Sequence, residues 1–326
     1  MSINMGVIVA FELKIILDIL GDEVIRVIGS TERSISRPAP IHEAPDDSTM
    51  SYCISGRTNA LDLIRATRAG VVLCPTDVLL EEFADTGKTY IVVENPRLSF
   101  LRLVSVLYPQ PRPRGIHPTA VIDPNAKIGK DVYIGPYSTI GECEIGDETV
   151  IQGHVHIYSN FVKIGKRCTI YAHTAIGTDG FGYGRNAEGE NEFFPSIGGV
   201  IIGDDVDIHC HCNVDRGTLG DTLIGQGTKI DKYNHIGHNV HIGKHCIIMA
   251  QSVFSGGAQI GDYVTMGICV AVRDQGIRVG DHAFVGMASV LTKDVPAGAS
   301  YMGAPARPIE EQKRILEALK RAAEIE

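Results

Sequence analysis

The chain has 326 residues, 44% of them hydrophobic, enough for two or three domains with sizeable cores. With 39 acidic against 30 basic residues its formal charge is −9, which argues against a nucleic-acid backbone as the main partner, because such binding rests on clustered Lys and Arg. Met5 to Leu20 is apolar but is interrupted by Glu12, Lys14 and Asp18 and lacks a basic leader and a cleavage site, so no integral membrane segment is predicted and cytoplasmic residence is expected.

Residues 1–108 mix helical and extended patterns: Phe11 to Leu20 and Leu98 to Leu107 read as helices, Gly70 to Cys74 and Tyr90 to Glu94 as strands, and the whole as a small α/β domain. Pro109, Pro111 and Pro113 make residues 109–114 a stiff linker. From residue 115 to 303 a six-residue beat of aliphatic residues dominates. It runs from Ile116 through Ile134 to Ile140, restarts at Ile145 and Ile164, and resumes at Ile202. From Ile224 it continues unbroken through Ile236 and Phe254 to Val272, then slips by one residue before Val279, Val285 and Leu291.

A helix turns by about 100° per residue, so residues six apart would decorate every side of it. Six is instead a multiple of the strand period of two, and all beat residues can face one interior. That is the pattern of a hexapeptide β-helix in which three hexads close a coil of about 18 residues. The fifth hexad position is small or modest, as in Ala120, Ser138, Thr149, Thr174, Thr228, Val240 and Ser252, fitting a narrow prism interior. The second position is often Gly, for which a corner with positive φ is the expected reason. Residues 304–326 carry Ile315, Leu316, Leu319 and Ala323 at helical spacing and read as a terminal helix able to cap the solenoid.

Eight cysteines in a chain of this length form no spaced disulfide framework. Cys168, Cys212 and Cys246 fall on the small fifth position, where a thiol serves as a small hydrophobe. In the run His209, Cys210, His211, Cys212, alternation lets only His209 with His211, or Cys210 with Cys212, share a side, which leaves metal binding the weaker reading. Between Ile176 and Ile202 the sequence Gly177-Thr178-Asp179-Gly180-Phe181-Gly182-Tyr183, followed by polar residues to Pro195, breaks the beat and should project as a loop, either a solvated excursion or part of a binding face.

The segment Ile230 to His241 concentrates histidines. His238 is the third residue of its hexad, beside a corner, and counting 18 residues onward reaches Gly256 about 4.8 Å away in the next coil. An imidazole beside an exposed glycine amide fits acyl transfer, the ring taking a proton from an amine or hydroxyl and the amide holding the oxyanion. Taken alone, a solvated surface histidine is the stronger reading of His238.

Four blocks decide between these readings: Gly177-Thr178-Asp179-Gly180-Phe181-Gly182-Tyr183, Val200-Ile201-Ile202-Gly203-Asp204, Val214-Asp215-Arg216-Gly217-Thr218-Leu219-Gly220-Asp221-Thr222 and Ile236-Gly237-His238-Asn239-Val240. Through them the chain resembles the UDP-3-O-(3-hydroxyacyl)glucosamine N-acyltransferases of lipid A biosynthesis, nearly end to end. Val93-Glu94-Asn95-Pro96 resembles the end of that family's uridine-binding N-terminal domain. The resemblance implies a mainly β protein, a trimeric left-handed parallel β-helix with an N-terminal α/β domain and sites between subunits. His238 would be the base that deprotonates the glucosamine 2-amine as it attacks the thioester of a 3-hydroxyacyl acyl carrier protein, and Gly256 the oxyanion amide. Asp231 would orient the imidazole or, on the alternative reading, cap a turn. Asp179, Phe181, Tyr183 and Asn239 would contact substrate, and Tyr52 would stack on uracil. No cofactor is expected, because the acyl donor brings its own phosphopantetheine. Arg307, Lys313, Arg314, Lys320 and Arg321 would give the acidic carrier a basic landing site, or belong to a solvated helix balanced by Glu310, Glu311 and Glu317.

Two positions depart from the family. Ungapped counting puts Gln275 where a second active-site histidine is expected; glutamine donates a hydrogen bond but cannot become a cation. The second uracil-stacking aromatic falls near Thr58. These departures leave room for an acetyl-CoA or acyl-CoA dependent transferase acting on another nucleotide-linked amino sugar. A zinc enzyme of the γ-carbonic anhydrase kind would need three converging imidazoles, and the spacings of His235, His238, His241 and His245 do not repeat a hexad face. A homologue without catalysis is the remaining alternative.

Overall fold

The computed structural model describes residues 10–78, 86–159, 161–273 and 276–323. It forms two compact units that divide between Pro111 and Arg112, inside the proline-rich linker.

The first unit is built on a five-stranded sheet in the order Arg26–Ile28, Thr89–Val92, Val71–Cys74, Thr49–Tyr52, Arg37–Pro38, parallel except for its first pair. Val71–Cys74 and Thr89–Val92 are buried along their whole length, as expected of short apolar runs in the middle of a parallel sheet. The helix predicted from Phe11 begins two residues later, at Leu13–Leu20, because Phe11–Glu12 pairs with Ser34–Ile35. The other predicted helix starts earlier, at Pro96–Leu107: Asn95 Oδ1 accepts the Leu98 N–H (3.1 Å) and Pro96 occupies the first turn. The Asn-Pro pair is thus a helix start signal.

The second unit is a left-handed parallel β-helix, an exception to the usual hand of parallel crossovers. Its walls are three sheets of eight, nine and eleven strands, most only two residues long. Beat residues from Ile134 to Leu291 are buried, Ile134, Ile151, Ile170, Ile236 and Phe254 completely. Each contributes about 1.5–3 kcal/mol of burial. At the first coil Ile116 is 54% exposed, because no coil precedes it.

The fifth position tolerates hydroxyls and thiols because the backbone there can satisfy them. Thr149 Oγ1 donates to Gly165 O (2.8 Å) and accepts the Cys168 N–H (3.1 Å) from the next coil. Thr228 Oγ1 does the same with Gly243 O and Cys246 N–H. Cys168, Cys212 and Cys246 are buried there, each Sγ lying 3.1 Å from a carbonyl oxygen. Burial pushes the Cys168 and Cys212 thiols up to about 11 and raises Cys246 as well.

The second-position glycines have a different cause from the one expected. Positive φ falls on the fourth position, carried by side-chain-bearing residues such as Asp131, His154, His211 and Asn239. Gly135, Gly203, Gly225 and Gly243 are not in that region. Coils approach too closely for a side chain: a Cβ on Gly135 would lie 2.5 Å from the Gly153 nitrogen, and one on Gly225 2.5 Å from the Gly243 carbonyl carbon. Close approach, not corner conformation, selects glycine.

The predicted loop is a projecting antiparallel hairpin, Tyr183–Arg185 with Asn191–Phe193. The one-residue slip appears as a change of pairing offset from His241↔Gln259 to Gln259↔Arg278. After the last coil, Ser300–Met302 joins the largest sheet and pairs with Arg307–Pro308. The helix that follows, Ile309–Ala323, buries none of its residues, with Leu316 and Leu319 exposed. Within the chain the hairpin therefore closes that sheet, and the helix expected to cap it leaves its apolar stripe open. Among the described residues no helix is long and apolar enough to cross a membrane.

Candidate functional site

His238 follows strand His235–Ile236, at the vertex where the chain leaves the nine-stranded sheet. The 18-residue offset predicted from the beat holds: His235 pairs with Val253, and the Gly257 N–H donates to His238 O (2.9 Å). Gly256 consequently lies on the imidazole. A Cβ there would sit 2.5 Å from Cε1 and 2.6 Å from Nε2. The Gly256 N–H donates to no acceptor among the described residues. From the other side Gly180 abuts the ring, where a Cβ would meet His238 Cβ at 2.7 Å and Cδ2 at 2.8 Å. The ring is held in a slot between the next coil and the inserted loop, and two glycines make the slot wide enough.

His238 Nδ1 faces inward, 3.1 Å from Thr218 Oγ1 and 3.1 Å from Asn239 Oδ1. Asn239, at φ 59°, donates through Nδ2 to Gly220 O (3.0 Å), accepts the Thr218 N–H at Oδ1 (2.9 Å) and donates its own N–H to Thr222 Oγ1 (2.9 Å). Both ends of its amide are therefore engaged by the protein, which fixes the side chain beside the imidazole. Thr218 escaped the 18-residue ruler because its coil is longer: Asn213 pairs with His235, an offset of 22 residues, and the surplus forms the vertex that carries Thr218.

Around this slot the Asp-Arg-Gly block meets the inserted loop. Buried Asp215 accepts from Thr178 Oγ1 (2.7 Å) and Asn213 Nδ2 (2.6 Å), and its other oxygen lies 3.8 Å from His235 Nε2. Arg216, only 8% exposed, donates through Nε to Gly198 O (2.8 Å) and faces the exposed Asp179 at 3.8 Å. These residues anchor both ends of the insertion, so Asp179 and Gly180 enter the site from a fixed frame. Phe181, 88% exposed, and Tyr183 stand beyond them with ring centroids 5.0 Å apart.

Asp231 makes no hydrogen bond to His238 among the described residues. Its Oδ1 accepts the Lys232 N–H (2.8 Å) at the preceding vertex, and the hydrogen-bond partners of His238 Nδ1 are Thr218 Oγ1 and Asn239 Oδ1. Of the two readings of Asp231, the turn cap is the one its side-chain geometry matches. Gln275 lies outside the described residues. In the first unit Tyr52 is half-buried against Phe100 (centroids 4.8 Å apart), and Thr58 is exposed. Arg307 pairs with Glu311 and Lys313 with Glu310; Arg314 donates to Glu310 O, and Lys320 and Arg321 are exposed in the last turn.

Among the described residues no three His, Cys, Asp or Glu side chains are grouped to hold a metal ion. His209 stacks on Tyr171 (4.2 Å), and His211 between His173 and Tyr233 (4.9 and 5.0 Å). His245 stacks on Tyr263, and His241 Nε2 faces Asp221 O (3.3 Å), so the set His235, His238, His241 and His245 is spread over different faces.

A hexapeptide solenoid with a histidine slotted between coils at a vertex places the chain in the class of hexapeptide-repeat proteins. The family described as bacterial transferase hexapeptide (six repeats) matches residues 125–159 and 221–256. A UDP-3-O-acylglucosamine N-acyltransferase of Gloeobacter violaceus is 34% identical over 269 residues, 76% of this chain and 74% of that protein. One from Methylobacterium nodulans is 45% identical over 160 residues, a match covering 49% of this chain and 45% of the relative's length. Among solved structures, a UDP-N-acetylglucosamine O-acyltransferase of Moraxella catarrhalis is similar at TM-score 0.53 and 34% identity, covering 59% of this chain and 73% of that one. The Campylobacter jejuni UDP-N-acetylglucosamine acyltransferase is similar at TM-score 0.54 and 26% identity, covering 60% and 73%. The chain belongs to the UDP-3-O-acylglucosamine N-acyltransferase family.

Proposed function

We propose that the protein transfers a 3-hydroxyacyl group from acyl carrier protein to the 2-amine of a UDP-3-O-acyl-glucosamine, a step of lipid A biosynthesis. One observation carries the reading: a histidine with Nδ1 hydrogen-bonded inward stands beside a glycine amide that has no acceptor among the described residues. His238 Nε2 takes the amine proton as the nitrogen attacks the thioester carbonyl. The Gly256 N–H stabilises the oxyanion; collapse expels the thiolate, which takes the proton back from the imidazolium. Asp179, Phe181 and Tyr183, held by the anchored insertion, contact the sugar nucleotide or the acyl chain. Tyr52 offers one aromatic face to the uracil, and the cations of the terminal helix receive the carrier.

Assembly as a trimer with sites between copies is part of the proposal. Of the outward positions of the nine-stranded sheet, from Val121 through Ala175 and His235 to Val290, only Asp215 is charged, and it is buried beneath Asn213, Thr178 and His235. Its neighbouring vertex is an exposed column of stacked rings, Tyr137, His154, His173, His211 and Tyr233. The terminal helix leaves Leu316 and Leu319 exposed. Such uncharged surfaces suit burial against a second copy. Replacing His238 by Ala should lower turnover by more than about 10²-fold, read by mass spectrometry of product from acyl-carrier thioester and UDP-amino sugar. Unchanged turnover would remove the base assignment.

A further inference from the structure

We infer that Asn239, the residue following the base, fixes the tautomer of His238, a positioning role this chain gives to a neutral amide instead of a carboxylate. The inference rests on the acyl-transfer reading for its consequence but not for its geometry. Asn239 Oδ1 and Nδ2 are distinguished by their partners: the oxygen accepts the Thr218 N–H and the nitrogen donates to Gly220 O. A flipped amide would set donor against donor and acceptor against acceptor. The atom 3.1 Å from His238 Nδ1 is therefore an acceptor, and Nδ1 must carry the proton. Thr218 Oγ1, also 3.1 Å from Nδ1, can rotate to donate or accept, so the amide decides. With Nδ1–H committed, the lone pair lies on Nε2, on the side of Gly256, where a base must present it.

Asn239 cannot drift from this task. Its backbone is in the left-handed region, which asparagine tolerates better than most residues, and its N–H is held by Thr222 Oγ1. The inserted loop brings Asp179, adjacent in sequence to the Gly180 that abuts the ring, together with its partner Arg216. No carboxylate hydrogen-bonds to the imidazole among the described residues.

The test has two independent readouts. Nitrogen-15 NMR of the full chain without substrate should show His238 protonated at Nδ1 and bare at Nε2, with Asn239→Ala relaxing it to a mixture of tautomers. A wild-type ring protonated at Nε2 would overturn the inference whatever the reaction proves to be. In turnover, Asn239→Ala should lower kcat about threefold to tenfold with KM little changed, since Nε2 would present its lone pair only part of the time. Asn239→Asp keeps the acceptor but adds a negative charge that favours the imidazolium, so the acid limb of its pH–rate profile should move up by about one pH unit. An acid limb that stays in place would show that residue 239 does not speak to the base. Failure of the acyl-transfer reading would appear instead as full turnover in His238→Ala, with the NMR result still deciding the tautomer.

Discussion

Two vertices of the solenoid treat the same backbone group in opposite ways. Where the chain leaves the eight-stranded sheet, the third hexad position is repeatedly an aspartate that reaches down one coil. Asp147, Asp204, Asp262 and Asp281 accept the N–H groups of Lys130, Lys166, Lys244 and Asp262 at 2.7–2.9 Å. At the vertex of His238 the lower coils follow a similar rule, Ser159 Oγ accepting the Glu142 N–H. Four coils after Ser159 the residue at that position is Gly256, with no side chain to reach down to the His238 N–H, which has no acceptor among the described residues. The main-chain bond from Gly257 to His238 is unchanged. Leaving out a side chain at Gly256 has thus opened the space that the imidazole occupies, without altering the fold.

The largest expected effect breaks what the vertices share. Phe254 fills the interior one residue before Ser255 and Gly256 and is completely buried. Phe254→Ala should cost about 3–5 kcal/mol, measured by denaturant unfolding, because the coils on either side cannot close the cavity.

Two glycine substitutions then separate structure from function. In Gly256→Ala the atoms in the way belong to the imidazole, which can swing out; turnover should fall by about 10²-fold or more while the melting temperature barely moves. In Gly225→Ala the obstructing atoms are the Gly243 carbonyl and the Lys244 nitrogen, which cannot move independently. Stability should fall by about 1–3 kcal/mol, with turnover per folded molecule retained. Equal losses of activity in the two variants would mean that the His238 vertex has no special standing.

How much of this was legible in the sequence follows from where the period holds. The beat gave the interior residues, the wall strands and the pairing of His238 with Gly256, because a coil is a fixed number of residues as long as no vertex is lengthened. It failed for Thr218 and Asp215, which reach the site through a 22-residue coil, and for Gly180, which comes from the insertion. Asp231 shows the limit of closeness in sequence to a base: within seven residues the chain turns past a vertex and onto another wall, and the Asp231 carboxylate bonds the Lys232 N–H. The glycines of the second position show the converse, a position read correctly with the wrong cause, since sequence does not reveal how near the next coil lies. In the first unit Arg26–Ile28 and Arg37–Pro38 were missed because edge strands of three and two residues are too short to carry an alternation to read.

The smallest effect concerns the charged vertex alone. Arg167 grips Asp205 through Nε and Nη2, both at 2.7 Å, and also faces Asp204 at 3.6 Å. The guanidinium holds the Asp205 carboxyl below the usual aspartate range. Both side chains are more than a third exposed, so solvent screens the pair, and Arg167→Met should cost no more than about 1 kcal/mol at neutral pH. The sign with pH follows from the depressed value. A carboxylate whose folded-state pKa lies below its unfolded one stabilises fully above the unfolded value, about pH 4, and loses that contribution as pH falls through the lower folded value. The stability difference between wild type and Arg167→Met should therefore be flat from neutral pH down to about pH 4 and shrink below it. Turnover measured at neutral pH should not change, because the pair acts at a vertex whose amides are already capped. A shift in activity there would mean that the two vertices are coupled through the coils and that the missing side chain at Gly256 is not a local device.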